Sequence, residues 1–287
     1  MVSATYIVLF IIFGAILVRS GAGRFFLDLA IALTGHRKGG PAKASVVASA
    51  FLGTVSGSAV ANVATTGAFT IPLMKKIGYR AKFSAAVEAC ASSGGQITPP
   101  IMGAAAFIIA EYLRVSYISV LIAAIVPAVL YFATVYIMVD LEADKSGVER
   151  IEKARLPDIG RVLRSGWHQL LTLFVLLALL IIGFTPMLAA FGGIITLLVL
   201  SFVSSYTRLR PIDILAAFEI GVRNAVPVTI ACACAGIIIG SIFSSGLGLK
   251  FTNSVIDLSG GSLLLLLGLT AVAAIILGMG MTTTAVY

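Results

Sequence analysis

Apolar runs of bilayer length recur along the chain, separated by short polar joints. A helix needs about 20 apolar residues to cross the hydrocarbon core of a membrane. On that measure the pattern predicts spans at 3–18, 83–110, 117–139, 167–185, 187–205, 226–246 and 262–280. Two shorter stretches, 25–34 and 211–222, pair an apolar face with scattered charge, and predict helices lying at the membrane interface. The longest polar stretch, 140–166, carries mixed charge at helical spacing. It predicts a solvent-exposed amphipathic helix linking two halves, ended or kinked at Pro157.

One segment fits none of these classes. Residues 53–76, GTVSGSAVANVATTGAFTIPLMKK, are too polar to face lipid and too apolar for a solvated loop. The charge pattern decides how the segment runs. Basic residues mark cytoplasmic joints. If 44–74 crosses the membrane once, the Lys and Arg residues of the joints divide 13 against 7 between the two sides. If 44–74 dips in and returns to the side it left, they divide 18 against 2. Its 31 residues are also too few for two full crossings and a turn. A re-entrant helical hairpin satisfies both constraints, with the N-terminus of the chain facing outward. Its tip must lie in protein or line a watered cavity, since backbone groups unpaired in lipid each cost several kcal/mol.

The next span is interrupted in its middle by SSGGQITPP, 92–100. Gly94, Gly95, Pro99 and Pro100 together cannot continue an α-helix, so the pattern predicts a broken helix with a half-helix on each side. Half-helix ends direct partial charges to bilayer depth, the carbonyl end favouring cations and the N–H end anions. The spacing suggests that the hairpin tip and the break meet. Two readings of these polar residues stay open. They supply oxygens for a small hard cation, or they only pack and kink helices and bond back to their own carbonyls.

Composition agrees with a membrane protein. Of 287 residues 59% are hydrophobic and only 11% are charged, where soluble domains carry about 25% charge. The mean hydropathy is +1.08. The net charge of +8 lies in short joints rather than on one face, which argues against nucleic acid. Cys90, Cys232 and Cys234 lack metal-site spacing, and His36 and His168 stand alone. With no nucleophile–base pair or metal cluster in view, an enzyme is not expected. Glu88 is an acid at membrane depth, and it too has two readings: proton or cation coupling, or a carboxylate facing protein or pairing with the basic interface at Arg80 and Lys82.

A second copy of the hairpin motif is suggested by GMGMTTTAVY, 278–287, which enters from the opposite side by the same charge count. Two such elements of opposite direction predict an inverted repeat. The expected organisation is a first repeat over 1–139, connecting helices and scaffold spans over 140–225, and the start of a second, incomplete repeat over 226–287. The fold class is therefore an all-α polytopic membrane protein, an inverted repeat with re-entrant hairpins and a broken helix.

The run GTVSGSAVANVATTGAFTIPLMKKIGYRAKFSAAVEACASSGGQITPPIMGAAAF, 53–107, resembles the large membrane subunit of TRAP (tripartite ATP-independent periplasmic) transporters, and most of all the fused small-plus-large permeases that work with TAXI-type binding proteins. The resemblance implies an inverted-repeat elevator-type transporter, a multi-pass protein of the bacterial inner membrane that imports organic acids, coupled to sodium, from a periplasmic TAXI-type binding protein. It implies no cofactor beyond the coupling ion. It further implies a first sodium site at Ser56, Ser58, Asn62, Gly94 and Thr98, and a second at Thr282, Thr283 and Thr284. Thr65, Thr66, Pro99 and Pro100 are the expected substrate lining. Some relatives carry Asp where this chain has Asn62, so a cation here would rest more on dipoles. Against that pattern the chain reads as a fragment, without the small-subunit helices and without most of the second hairpin. The alternative is a channel-like or structural membrane protein, with a continuous polar-lined pore and no coupling.

Overall fold

The computed structural model describes residues 7–148, 157–203 and 209–279. All regular structure among them is helical. The chain forms two compact units, Met1–Asn224 and Ala225–Tyr287.

The first unit opens with α1 (Val8–Arg19) and α2 (Ala22–Thr34), bent by 67° at a break where Gly21 takes φ +95°. The next element is the hairpin. Its outgoing arm is α3 (Gly40–Ser56). Its return arm is α4 (Ala59–Asn62), one wide π-helical turn (Val63–Gly67) and α5 (Ala68–Lys76). The chain reverses at Gly57, whose φ of +58° suits a residue without a Cβ. Ser58 then caps α4 by accepting a hydrogen bond from the Ala61 N–H.

Both ends of the hairpin lie together. Ala42 from its start, Met74 and Tyr79 from its end, and Val139 and Ala143 from α8 (Tyr117–Lys145) share one buried apolar cluster. The same region holds two ion pairs, Lys38 with Asp144 and Lys43 with Asp140. Lys43 is buried, and the half-exposed Asp140 is its charge partner.

The span expected at 83–110 is broken. It consists of α6 (Ala81–Gly94), a single 3₁₀ turn (Gly95–Ile97), a non-helical stretch, and α7 (Ala104–Leu113). Beyond α8 come α9 (Ile159–Ile182), α10 (Pro186–Val203) and α11 (Pro211–Ser244), the last carrying the boundary between the units. In the second unit α12 (Leu247–Ser259) packs on α13 (Leu263–Gly278).

Three sequence expectations change. Segment 25–34 is not laid on a membrane surface; its apolar face is taken up by protein, with Leu27 and Ala30 against Ala44 and Ala48 of α3. Segments 211–222 and 226–246 are not separate, because α11 runs through Pro227 without a break. The polar stretch 140–166 is not one helix. Its described parts are the last turns of α8 and the first turns of α9, where the Asp158 side chain accepts from the Arg161 N–H.

Among the described residues α8 and α9 are each long and apolar enough to cross a membrane, α1 and α2 are so only if taken together as one bent span, and Pro186–Phe202 and Leu263–Ile276 are shorter apolar helices. The outward face of α8, with Ile122, Val126, Val129 and Leu130 exposed, is what lipid would cover.

Candidate functional site

The hairpin tip and the helix break meet backbone to backbone. A Cβ placed on Gly53 would lie 2.3 Å from the Gly95 Cα, and one on Gly95 would lie 2.5 Å from the Gly53 Cα. Only glycine at both positions permits this approach. The contact is extended by the Ile101 N–H, which donates to the Thr54 carbonyl at 3.1 Å, and by Gly57, where a Cβ would sit 2.4 Å from the Met102 carbonyl oxygen. The broken stretch has its own supports. The Gly103 N–H donates to the Gln96 carbonyl at 2.7 Å. The buried Tyr117 hydroxyl is shared between the Pro100 and Ile101 carbonyls at 2.9 and 2.6 Å. The Pro99–Pro100 peptide is cis.

Two helices end at this meeting. The C-terminal turns of α3 and α6 carry Ser56 and Gly94, so both carbonyl ends direct partial negative charge to one place. Asn62 is fully buried beside the glycine contact, its amide nitrogen 3.3–3.4 Å from where a Cβ on Gly53 or Gly95 would be. That amide donates to the Ser49 carbonyl at 2.9 Å. The Ser56 hydroxyl lies 3.5 Å from the Ser58 carbonyl, and the Thr98 hydroxyl donates to the Gly94 carbonyl at 2.7 Å. Ser56, Ser58 and Asn62 thus stand on one side of the glycine contact and Gly94 and Thr98 on the other. The donors are hydroxyls, one amide and backbone carbonyls, a set that suits a small hard cation and carries no formal charge.

The expected substrate residues do not share one surface. Thr65 faces α2, its methyl group 2.7 Å from where a Cβ on Gly23 would stand. Thr66 faces the other way, toward Glu88. Pro100 is buried in the broken stretch and Pro99 half-buried. Thr282, Thr283 and Thr284 lie outside the described residues.

Glu88 is a carboxylate facing protein, and it does not pair with the basic interface at Arg80 and Lys82. It is fully buried on α6 and has no ion-pair partner among the described residues; Arg80 and Lys82 are exposed. Five hydroxyls surround its carboxyl group instead. Ser45 and Thr70 each lie 2.5 Å from Oε2, while Thr66, Ser49 at 3.3 Å and Ser92 at 3.4 Å approach Oε1. The signal was present in the sequence as three polar pairs at i,i+4 spacing, Ser45/Ser49, Thr66/Thr70 and Glu88/Ser92. Nothing in one dimension says that these pairs face each other.

An apolar helical bundle that admits a polar hairpin tip and a broken helix at a shared backbone contact defines a class: an all-α polytopic membrane protein with irregular backbone sheltered inside it. Within that class, the chain belongs to the family described as Tripartite ATP-independent periplasmic transporter, DctM component, whose model matches residues 1–287. Among similar proteins is the 2,3-diketo-L-gulonate TRAP transporter large permease protein YiaN of Escherichia coli, 31% identical over 169 residues, 58% of this chain and 39% of that protein. The C4-dicarboxylate TRAP transporter large permease protein DctM of Pseudomonas aeruginosa is 28% identical over 182 residues, 63% of this chain and 42% of that protein. The isethionate TRAP transporter permease protein DctMQ of Oleidesulfovibrio alaskensis is 40% identical over 91 residues, 32% of this chain and 14% of that protein. The chain spans about two fifths of the length of the first two. The family is one of transport proteins, not of enzymes.

Proposed function

We propose that this chain forms part of the permease of a sodium-coupled TRAP transporter in the bacterial inner membrane, importing organic acid anions handed over by a periplasmic binding protein. The observation that carries the proposal is the convergence of the α3 and α6 carbonyl ends on the Gly53–Gly95 contact, with Asn62 buried beside it. Uncharged oxygen donors and two negative helix ends favour a monovalent cation there without fixed acidic charge. Ser56, Ser58, Asn62, Gly94 and Thr98 are its proposed ligands, and Thr282–Thr284 would serve an equivalent site in a second hairpin.

The named cargoes of the relatives are 2,3-diketo-L-gulonate, C4-dicarboxylate and isethionate, all organic anions, which supports an organic acid as the cargo here. The N-terminal end of the half-helix α7, next to the Pro99–Pro100 stretch, directs partial positive charge that would favour such an anion. The binding protein is proposed to be of the TAXI type and the small membrane subunit to be fused to this one. In this reading the hairpin 44–74 is re-entrant from the cytoplasmic side. The first repeat over 1–139 is answered by an inverted second one from 226, and 140–225 braces the scaffold.

The test is sodium dependence. Asn62→Ala and Ser58→Ala, placed in the complete transporter, are expected to raise the sodium concentration needed for half-maximal uptake. Unchanged sodium dependence in both variants would reject this ion site.

A further inference from the structure

Taking the sodium site above as given, we propose that Glu88 is its positioning residue: a buried carboxylate that supplies the negative charge which the neutral ligand set lacks, and that reaches it through Thr66 and Asn62.

The carboxyl group is set lengthwise in the hairpin. Ser45 of the outgoing arm and Thr70 of the return arm each donate to Oε2 at 2.5 Å, and both stand on the root side. Thr66, Ser49 at 3.3 Å and Ser92 at 3.4 Å approach Oε1. Ser49 and Thr66 each lie one helical turn nearer the tip than Ser45 and Thr70, and Ser92 lies one turn nearer the break than Glu88 itself. Two root-side donors therefore pin one oxygen, and the other oxygen faces the tip.

The oxygen that faces the tip reaches Asn62 by two routes. The Thr66 hydroxyl that contacts Oε1 lies 3.5 Å from the Asn62 side-chain oxygen. The Ser49 hydroxyl contacts Oε1 as well, while the Ser49 carbonyl accepts from the Asn62 amide at 2.9 Å. That bond commits the amide nitrogen. The amide oxygen, the one atom of this side chain able to ligate a cation, is the atom turned to Thr66. One hydroxyl separates it from the carboxylate.

Nothing else neutralises Glu88. It is fully buried, and its five hydrogen-bonding partners are all uncharged. Lys43 on α3 is paired with Asp140, and Lys75, Lys76, Arg80 and Lys82 are exposed. Taking a carboxylate out of water without a counter-ion is costly, and hydroxyl donors offset only part of that cost. A monovalent cation at the tip offsets more of it, because attraction between unit charges is weakly shielded in a protein interior. The ligands Ser56, Ser58, Asn62, Gly94 and Thr98 bring no formal charge of their own. Glu88 acts on the ion from behind them, since both of its oxygens are already taken by hydroxyls.

The test is sodium binding by the purified full-length transporter, read by calorimetry as sodium chloride replaces choline chloride at constant ionic strength. Glu88→Gln keeps the shape and an oxygen acceptor and removes the charge. It is expected to weaken sodium binding about tenfold or more, as loss of a unit charge at this range implies. Glu88→Asp restores the charge and is expected to bind within about threefold of the unaltered protein. A role confined to folding would instead lower the melting temperature of both variants in choline chloride and leave the sodium affinity where it was. If Glu88→Gln does not fold, Thr66→Val carries the test. It removes the bridging hydroxyl, with an expected weakening of about threefold to tenfold. Three results, obtained while Asn62→Ala and Ser58→Ala do weaken binding, would overturn the role of Glu88 and leave the ion site standing: an affinity unchanged in Glu88→Gln, an affinity as weak in Glu88→Asp as in Glu88→Gln, or, where Glu88→Gln fails to fold, an affinity unchanged in Thr66→Val. An affinity unchanged in both Asn62→Ala and Ser58→Ala would remove the ion site and the role of Glu88 with it.

Discussion

Asn62 reaches from the return arm of the hairpin to the outgoing one, its side-chain amide donating to the Ser49 carbonyl at 2.9 Å. The bond fixes the register of the two arms, about one turn from the tip on the return arm and about two on the outgoing arm. Asn62→Ala is expected to lower stability by about 0.5–1.5 kcal/mol, the net value of one neutral hydrogen bond. Thermal melting in detergent measures it. Asn62→Asp places an acceptor against an acceptor and is expected to destabilise more than alanine does.

Gly53 and Gly95 leave no room for a methyl group. Gly53→Ala or Gly95→Ala is expected to cost at least the roughly 1–3 kcal/mol of ordinary overpacking, because the obstacle is backbone rather than a movable side chain. Gly236→Ala is the control. Nothing lies within 4 Å of its added Cβ, and it sits within α11. That change is expected to be stabilising by about 1 kcal/mol through helix propensity. Equal melting temperatures for all three variants would contradict the close approach.

Lys43 is buried and Asp140 is half exposed. Asp140→Asn strands the ammonium and is expected to cost about 1–3 kcal/mol. Lys43→Met is expected to be milder, since the carboxylate left behind is free to hydrate. The double variant Lys43→Met/Asp140→Asn should recover most of the loss, and a double-mutant cycle reports the coupling.

The Tyr117 ring stacks on Phe107 with centroids 4.5 Å apart, while its hydroxyl holds the Pro100 and Ile101 carbonyls. Tyr117→Phe keeps the stack and removes only the hydroxyl. The expected loss is about 1–3 kcal/mol, with faster amide exchange confined to 98–103.

The breaks were legible in sequence because their cause is local. Gly94, Gly95, Pro99 and Pro100 cannot all propagate a helix whatever surrounds them, and Gly57 with Ser58 is a turn followed by a cap. Other features depend on what lies opposite. An amphipathic pattern such as 25–34 describes a membrane surface and a protein groove equally well, and the face of α3 that receives α2 is not visible from α2. The polar pair Arg223–Asn224 before Pro227 looks like a joint, yet a helix exposed at these positions absorbs it. The surroundings of Glu88 require three segments in register. The candidate ion residues were individually visible; the backbone contact that joins them was expected only from their spacing.

The hairpin is unevenly fastened. Its root is anchored by apolar packing and two ion pairs, whereas the tip touches the break through glycine backbone and few interlocked side chains. A lever so mounted has its fixed end at the foot, and parting its point from the opposing segment would expose little oily core.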